Sequence, residues 1–133
     1  MRWDFALVEW RDRLIADANL LALLDGPHIY PASSGREVQI PSVDYRIITD
    51  TVDENFNDIT IQVDLWARGP RVAGLIERRI RTLSHADVAR SIGGERWWMQ
   101  YEDSRTLDFP SDPGVIHRAL DFRFTLLRGR SAA

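Results

Sequence analysis

Hydrophobic and polar positions change rhythm along this chain, and the clearest change falls between Asp58 and Leu83. In Asp58-Ile59-Thr60-Ile61-Gln62-Val63-Asp64-Leu65-Trp66-Ala67-Arg68, the residues Ile59, Ile61, Val63 and Leu65 share one face of an extended chain. Thr60, Gln62, Asp64 and Trp66 share the other, the period-two pattern of a half-buried strand. Gly69-Pro70 follows and the period becomes helical, with Val72, Ala73, Ile76, Ile80 and Leu83 on one face of a predicted helix from about Pro70 to Leu83. Pro70 suits the first helical turn because the N–H it lacks has no partner there. Arg71, Arg78 and Arg81 lie off the apolar face, and Glu77 precedes Arg81 by one helical turn, a pairing worth about 0.2–0.5 kcal/mol.

Upstream, Trp3, Leu7, Trp10, Leu14, Ala18 and Leu21 recur every three or four residues, which predicts one continuous amphipathic helix from Trp3 to Leu24. Asp25-Gly26-Pro27 ends it, with Gly26 as the left-handed cap. Residues 26–41 read as a connecting loop with a short strand around His28–Tyr30, and Ser42–Thr49 as a strand. Residues 50–58 form a polar, acidic connection, so the strands on either side make an antiparallel hairpin with a long loop. Phe56 stands alone in that loop, either as an interaction residue or as a plug folded back on the sheet. Ser84–Glu95 reads as loop with helical character at Ala86–Ser91, Arg96–Glu102 as a third strand, 103–114 as loop, and Ile116–Leu127 as the last strand. Large aromatics on both faces of Arg96–Glu102 call for cover on its second face too. Residues 129–133 read as a frayed tail.

The order helix-strand-strand-helix-strand-strand predicts an α+β fold: an antiparallel sheet of about four strands with two main helices on one face. Trp10, Leu14, Ile61, Val63, Leu65, Ile76, Ile80, Phe122 and Phe124 are the predicted core. The chain has 133 residues, enough for a single domain (1–133, folded core 1–128) with a real core. With 44% hydrophobic and 28% charged residues it is ordinary for a globular protein, and its longest apolar run, Leu20–Leu24, is too short to cross a bilayer. No signal-peptide pattern opens the chain. The net charge of −3 gives no general attraction for nucleic acid. All 17 basic residues are arginine, whose planar fork suits interfacial ion pairs, although a GC-rich genome produces the same bias.

The chemistry-bearing residues form no catalytic pattern. There is no cysteine, and His28, His85 and His117 lie in unrelated elements without metal-site spacing. Gly93-Gly94 lacks the lysine or helix start of a phosphate cradle. Asp50, Asp53, Glu54 and Asp58 do not match a calcium-loop spacing. Arg78, Arg79 and Arg81 have no aromatic platform beside them for a nucleic-acid strand. The residues therefore imply no enzyme, no cofactor and no metal.

Three segments resemble the tail terminator, or tail-completion, proteins of tailed phages and gene transfer particles. They are Asn19-Leu20-Leu21-Ala22-Leu23-Leu24-Asp25-Gly26 with His28-Ile29-Tyr30-Pro31, then Ile40-Pro41-Ser42-Val43-Asp44-Tyr45-Arg46-Ile47, and Ile59–Arg68 leading into the helix at Val72–Leu83. The likeness covers most of residues 1–85 and weakens afterwards. It implies a structural protein without a reaction to catalyse, made in the host cytoplasm and located in the virion at the head-proximal end of the tail. Such proteins form a ring, typically a homohexamer, on the last ring of the tail tube, stop its polymerisation and offer a docking surface to head-completion (neck) proteins. The implied partners are therefore other copies of itself, the tail tube protein and a neck protein, with no sequence-specific nucleic-acid recognition and no membrane. Interface candidates are Asp53, Glu54, Phe56, Trp66, Arg78 and Arg81. Two other readings are a neck protein on the portal side, and a small ligand-binding domain or enzyme with a pocket walled by Trp66, Trp97, Trp98 and Tyr101. On the ring reading, Arg78→Glu weakens oligomerisation more than it lowers Tm. Light scattering alongside thermal melts checks this, and equal oligomerisation of variant and parent removes Arg78 from the interface.

Overall fold

A computed structural model describes residues 2–32, 39–52, 56–84, 90–92, 95–107 and 114–127. Three helices, α1 (Arg2–Ile15), α2 (Ala18–Leu24) and α3 (Pro70–Ser84), accompany six strands. The strands are β1 (Ile29–Pro31), β2 (Ser42–Val52), β3 (Phe56–Arg68), β4 (Arg90–Ile92), β5 (Glu95–Leu107) and β6 (Val115–Leu127). They form one sheet in the order β1-β2-β3-β6-β5-β4. Every neighbouring pair is antiparallel except β1 and β2, which run parallel. The α+β class, the helix layer on one face and the β2–β3 hairpin agree with the sequence reading. The sheet has six strands rather than about four, because β1 and β4 add a short strand at each edge.

The core lies between the helices and one face of the sheet. Ile59, Ile61, Val63, Leu65 and Ala67 on β3, with Leu120, Phe122 and Phe124 on β6, are fully buried on that face. Ala73, Ile76 and Ile80 of α3 and Trp10 and Leu14 of α1 cover them and are equally buried. All nine predicted core residues lie in this cluster. Trp10 ties the layers together. Its ring meets Tyr45 and Phe124 edge-on at 5.2 and 6.3 Å, and its indole N–H donates to the buried Ser84 hydroxyl at 2.9 Å. An indole buried that deeply requires such an acceptor.

The predicted single N-terminal helix is broken into α1 and α2. The chain leaves the helical conformation at Asp17, which is extended at φ −88° and ψ 108° and caps α2 by accepting from the Leu20 N–H at 2.9 Å. The break shifts the phase of the stripe: Ala18 is exposed and Leu21 half-buried, while Leu20 and Leu24 are fully buried. The Asp17 carboxylate also accepts both arms of the Arg79 fork, with Nε at 2.7 Å, so the cap ties α2 to α3. At the far end of α2 the left-handed residue is Asp25, φ 58° and ψ 39°, with Gly26 also positive at 130°. The Gly26 N–H then closes back on the Leu21 carbonyl at 2.9 Å, as in a Schellman end.

The strands also outrun their predicted bounds. The acidic 50–58 stretch is mostly strand, since β2 continues to Val52 and β3 begins at Phe56. Residues 103–107, expected as loop, extend β5, and Arg90–Ile92 pair with it as β4 instead of forming a helical turn. Each extension is dictated by a neighbour: Asp50, Thr51 and Val52 pair with Ile59, Asp58 and Asn57, and residues 103–107 pair with 117–121. Polar strand residues carry no periodic apolar signal, so only the ladder reveals them. Gly69, at φ 86°, turns β3 directly into α3, and its carbonyl accepts from the Ala73 N–H at the helix start. Residues 85–89, Gly93-Gly94 and the expected tail at 129–133 lie outside the described residues.

The Asp17 cap generates a pH-dependent prediction. Hydrogen bonding from Arg79, reinforced by the Leu20 N–H, holds the Asp17 carboxyl below its ordinary value. Its stabilising contribution is therefore complete above the unfolded value of about 4 and is lost as pH falls through the lower folded value. Asp17→Ala costs about 1–2 kcal/mol at pH 7 through loss of the cap, and Asp17→Asn, which still caps, costs less. Urea melts at pH 7 and pH 3 check this: the gap between parent and either variant narrows at the lower pH.

Candidate functional site

The second face of the sheet carries no described helix, yet several of its polar residues are buried. On β3 this face presents Asp58, Thr60, Gln62, Asp64 and Trp66, and on β6 it presents their cross-strand partners Thr125, Arg123, Asp121, Ala119 and His117. Gln62 is 6% exposed, Asp64 5% and Trp66 8%, values expected beneath a covering layer. Arg105 lies against Gln62, and His117 against both Asp64 and Trp66.

Asp64 is the hub. Its two oxygens accept from Gln62 Nε2 at 3.0 and 3.1 Å, and Oδ1 also meets His117 Nε2 at 2.9 Å. An ionised carboxylate only accepts, so His117 donates from Nε2, and that contact sets its tautomer. Trp66 stacks on the imidazole with ring centres 4.4 Å apart and planes 16° from parallel, which fixes the ring's orientation. Arg105, reaching over from β5, donates to Gln62 Oε1 at 3.0 Å and to Asp121 Oδ2 at 3.0 Å. The chain of bonds therefore runs His117–Asp64–Gln62–Arg105–Asp121 across three strands. Further along, Thr125 donates to Asp58 at 2.7 Å. Asp121 Oδ1 is buried without a hydrogen-bond partner, an acceptor left open within the network.

This arrangement fixes the polar groups of the helix-free face relative to one another. The acidic hub accepts from Gln62 on its own strand and from His117 on β6, and a hydrogen-bonded network of this kind rigidifies the groups that form it. Among the described residues no group of three or more His, Cys, Asp or Glu side chains is placed to hold a metal ion, and no helix is long and apolar enough to cross a membrane.

The sequence-derived candidates are scattered. Trp66 was expected on the outward row of its strand; it lies on the helix-free face but is buried against His117. Arg78 is exposed on α3, in the helix layer on the opposite side of the sheet. Arg81 approaches Glu77 at 3.9 Å, the predicted pairing, and sits 3.9 Å above the Tyr101 ring. Glu77 also meets Arg118 at 3.7 Å. Asp58, in the acidic stretch, accepts from the Thr125 hydroxyl. Asp53 and Glu54 lie outside the described residues, as does the side chain of Phe56, whose backbone opens β3 opposite Leu127. Of the four aromatics named as pocket walls, the side chain of Trp97 lies outside the described residues. Tyr101 packs edge-on against Phe122 on the core side at 5.8 Å, whereas Trp66 lies on the other face, so the set cannot wall one cavity.

Sequence reasoning missed Gln62, Asp64, Arg105, His117 and Asp121 as a group. The available signal was a pair of long strands whose outward rows are mostly polar, Asp58, Thr60, Gln62 and Asp64 on one and His117, Asp121, Arg123 and Thr125 on the other. Nothing in one dimension sets those rows side by side.

No family model matches this chain, and no curated protein matches it. Among solved structures, the fold is similar to a chain in the virion of a native gene transfer agent (GTA) particle, with a TM-score of 0.64 over 90% of this chain and 92% of that one. Sequence identity is 19%, so the likeness is one of fold.

Removing the hub exposes what it balances. Asp64→Ala leaves Gln62 and His117 donors unpaired under the face and costs about 2–3 kcal/mol, whereas truncating the exposed Arg123 costs under about 1 kcal/mol. Denaturant midpoints of the two variants against the parent check the ordering.

Proposed function

We propose that this protein is a virion structural protein of a tailed phage or gene transfer particle. Within that class we propose that it acts as a tail terminator: a ring on the end of the tail tube that stops polymerisation and receives the neck proteins. The observation that carries the class is the fold, shared over nine-tenths of the chain with a component of a gene transfer agent virion. The narrower role is supported by the resemblance of residues 1–85 to tail terminators. The cross-braced polar face adds a physical argument, because a capping protein must meet its neighbours with a surface already in its bound arrangement, and preorganisation limits the ordering cost of association. The protein has no reaction to perform on this reading and takes no cofactor. Its partners are copies of itself, in the six-membered ring that the resemblance implies, the tail tube protein and a neck protein, and its place is the head-proximal end of the tail.

Tube assembly in vitro tests the role. Added to polymerising tail tube protein, the purified chain shortens the tubes and appears at one end of each in negative-stain images. Loss of its gene gives tubes of uncontrolled length that fail to join heads. Normal tube length with a protein bound only at the portal side transfers the chain to the neck and overturns the terminator role.

A further inference from the structure

Among the described residues both edges of the sheet are only partly covered, and the covered parts are matched. At one edge β1 pairs with Val43–Tyr45 of β2, and the Ala32 N–H still reaches the Tyr45 carbonyl at 2.8 Å. From Arg46 to Val52, β2 has no strand on its outer side among the described residues. At the other edge β4 pairs with Glu95–Trp97 of β5, and residues 98–107 have no outer strand among the described residues. Each short strand therefore blocks the N-terminal end of an edge and leaves its C-terminal part open.

We propose that the open part of β2 in one copy of this chain pairs antiparallel with the open part of β5 in the next copy, so that the sheet runs from protomer to protomer. The proposal rests on the ring reading above and assigns its junction. Three features carry it. In antiparallel pairing the N-terminal end of each strand meets the C-terminal end of the other, so β1 and β4 fall at opposite ends of the junction and do not collide. Within one protomer β2 and β5 already run in opposite directions, so head-to-tail joining keeps every helix layer on the same side. The third feature is exposure. Residues 46–51 are all exposed, and they include Ile47 at 42% and Ile48 at 43%, two of the few large hydrophobic residues left in solvent. The Val43 N–H and Tyr45 C=O point outward to β1, and alternation carries that direction on to Ile47. A long edge with exposed apolar residues and free backbone groups is a hazard unless another strand pairs with it. Joining β2 to β2 in a two-fold dimer leaves both β5 edges open. Head-to-tail joining satisfies both edges of every copy, and a ring results when the rotation from copy to copy closes.

The chain contains no cysteine, which permits a clean cross-linking test. Thr51 and Asp103 both lie on the helix-free face, opposite Asp58 and Asp121 respectively, and both are exposed. Thr49 shares that face one pleat away. Thr51→Cys and Thr49→Cys are each combined with Asp103→Cys, oxidised, and run without reductant, with light scattering on the same samples and with tail tubes present in a parallel set. The expected result is a ladder from dimer to closed ring in at least one double variant, dimers only when the single variants are mixed, and collapse to monomer on reduction. Disulfide dimers from Thr51→Cys alone establish β2–β2 pairing and overturn the proposal. Oligomers by light scattering with no ladder in either double variant also overturn it while leaving the ring reading intact. Monomers throughout, even on tube ends, remove both.

Discussion

The ladder between β3 and β6 is the constraint on which the rest depends. Thirteen consecutive pairs join the two strands without a break, from Phe56–Leu127 to Arg68–Val115. An uninterrupted register makes each face of the pair a single continuous row. One row is the floor of the hydrophobic core, and the other is a line of polar groups at fixed spacing. A slip of one residue would exchange the two rows and bury Asp64 and Asp121 beneath α3, so the register is specified from both sides. β2 and β5 flank this pair, and each accommodates a register shift, between Ile47 and Thr49 and between Tyr101 and Asp103. The irregularity is thus confined to the strands that have an open edge.

The two faces are stabilised by different physics. On the helix side, burial of aliphatic and aromatic surface dominates, with Trp10 and Ser84 forming a polar contact at the α1–α3 seam. On the other side, exclusion of water is achieved by cross-strand hydrogen bonds among long polar side chains, with the Trp66–His117 stack at one end. A carboxylate as buried as Asp64 is tolerable because three donor contacts converge on it. Such a face is costly to dismantle and hard to deform. The network gives this face of the sheet a fixed arrangement of polar groups.

Residue by residue, legibility followed the strength of the local signal. Leu65 and Ile76 announced themselves through period and partner spacing, and the switch at Gly69-Pro70 marked the strand-to-helix turn. Where the signal was polar it failed. Residues 50–52 and 103–107 read as loop because Asp50, Asp103, Ser104 and Arg105 leave no apolar alternation there, and the cross-strand partners override that local pattern. Asp17 interrupted an apparently continuous apolar stripe, because an aspartate that bonds Leu20 and Arg79 gains more as a cap than as a mid-helix residue. His117 looked solitary because its carboxylate partner is fifty-three positions away.

By itself the sequence determined the α+β class, the order of the long elements, the core residues and the absence of a thiol or a familiar catalytic motif. All of these are written in local periodicity or composition, which need no knowledge of neighbours. Only the tertiary structure decided that β6 would sit between β3 and β5, that the short strands β1 and β4 would block one end of each edge, and that Asp64, His117, Gln62, Arg105 and Asp121 would form one network. Those outcomes depend on pairings between residues far apart in the chain. Such pairings are settled by which strands can share a register while burying the same apolar face, and that condition holds in three dimensions only.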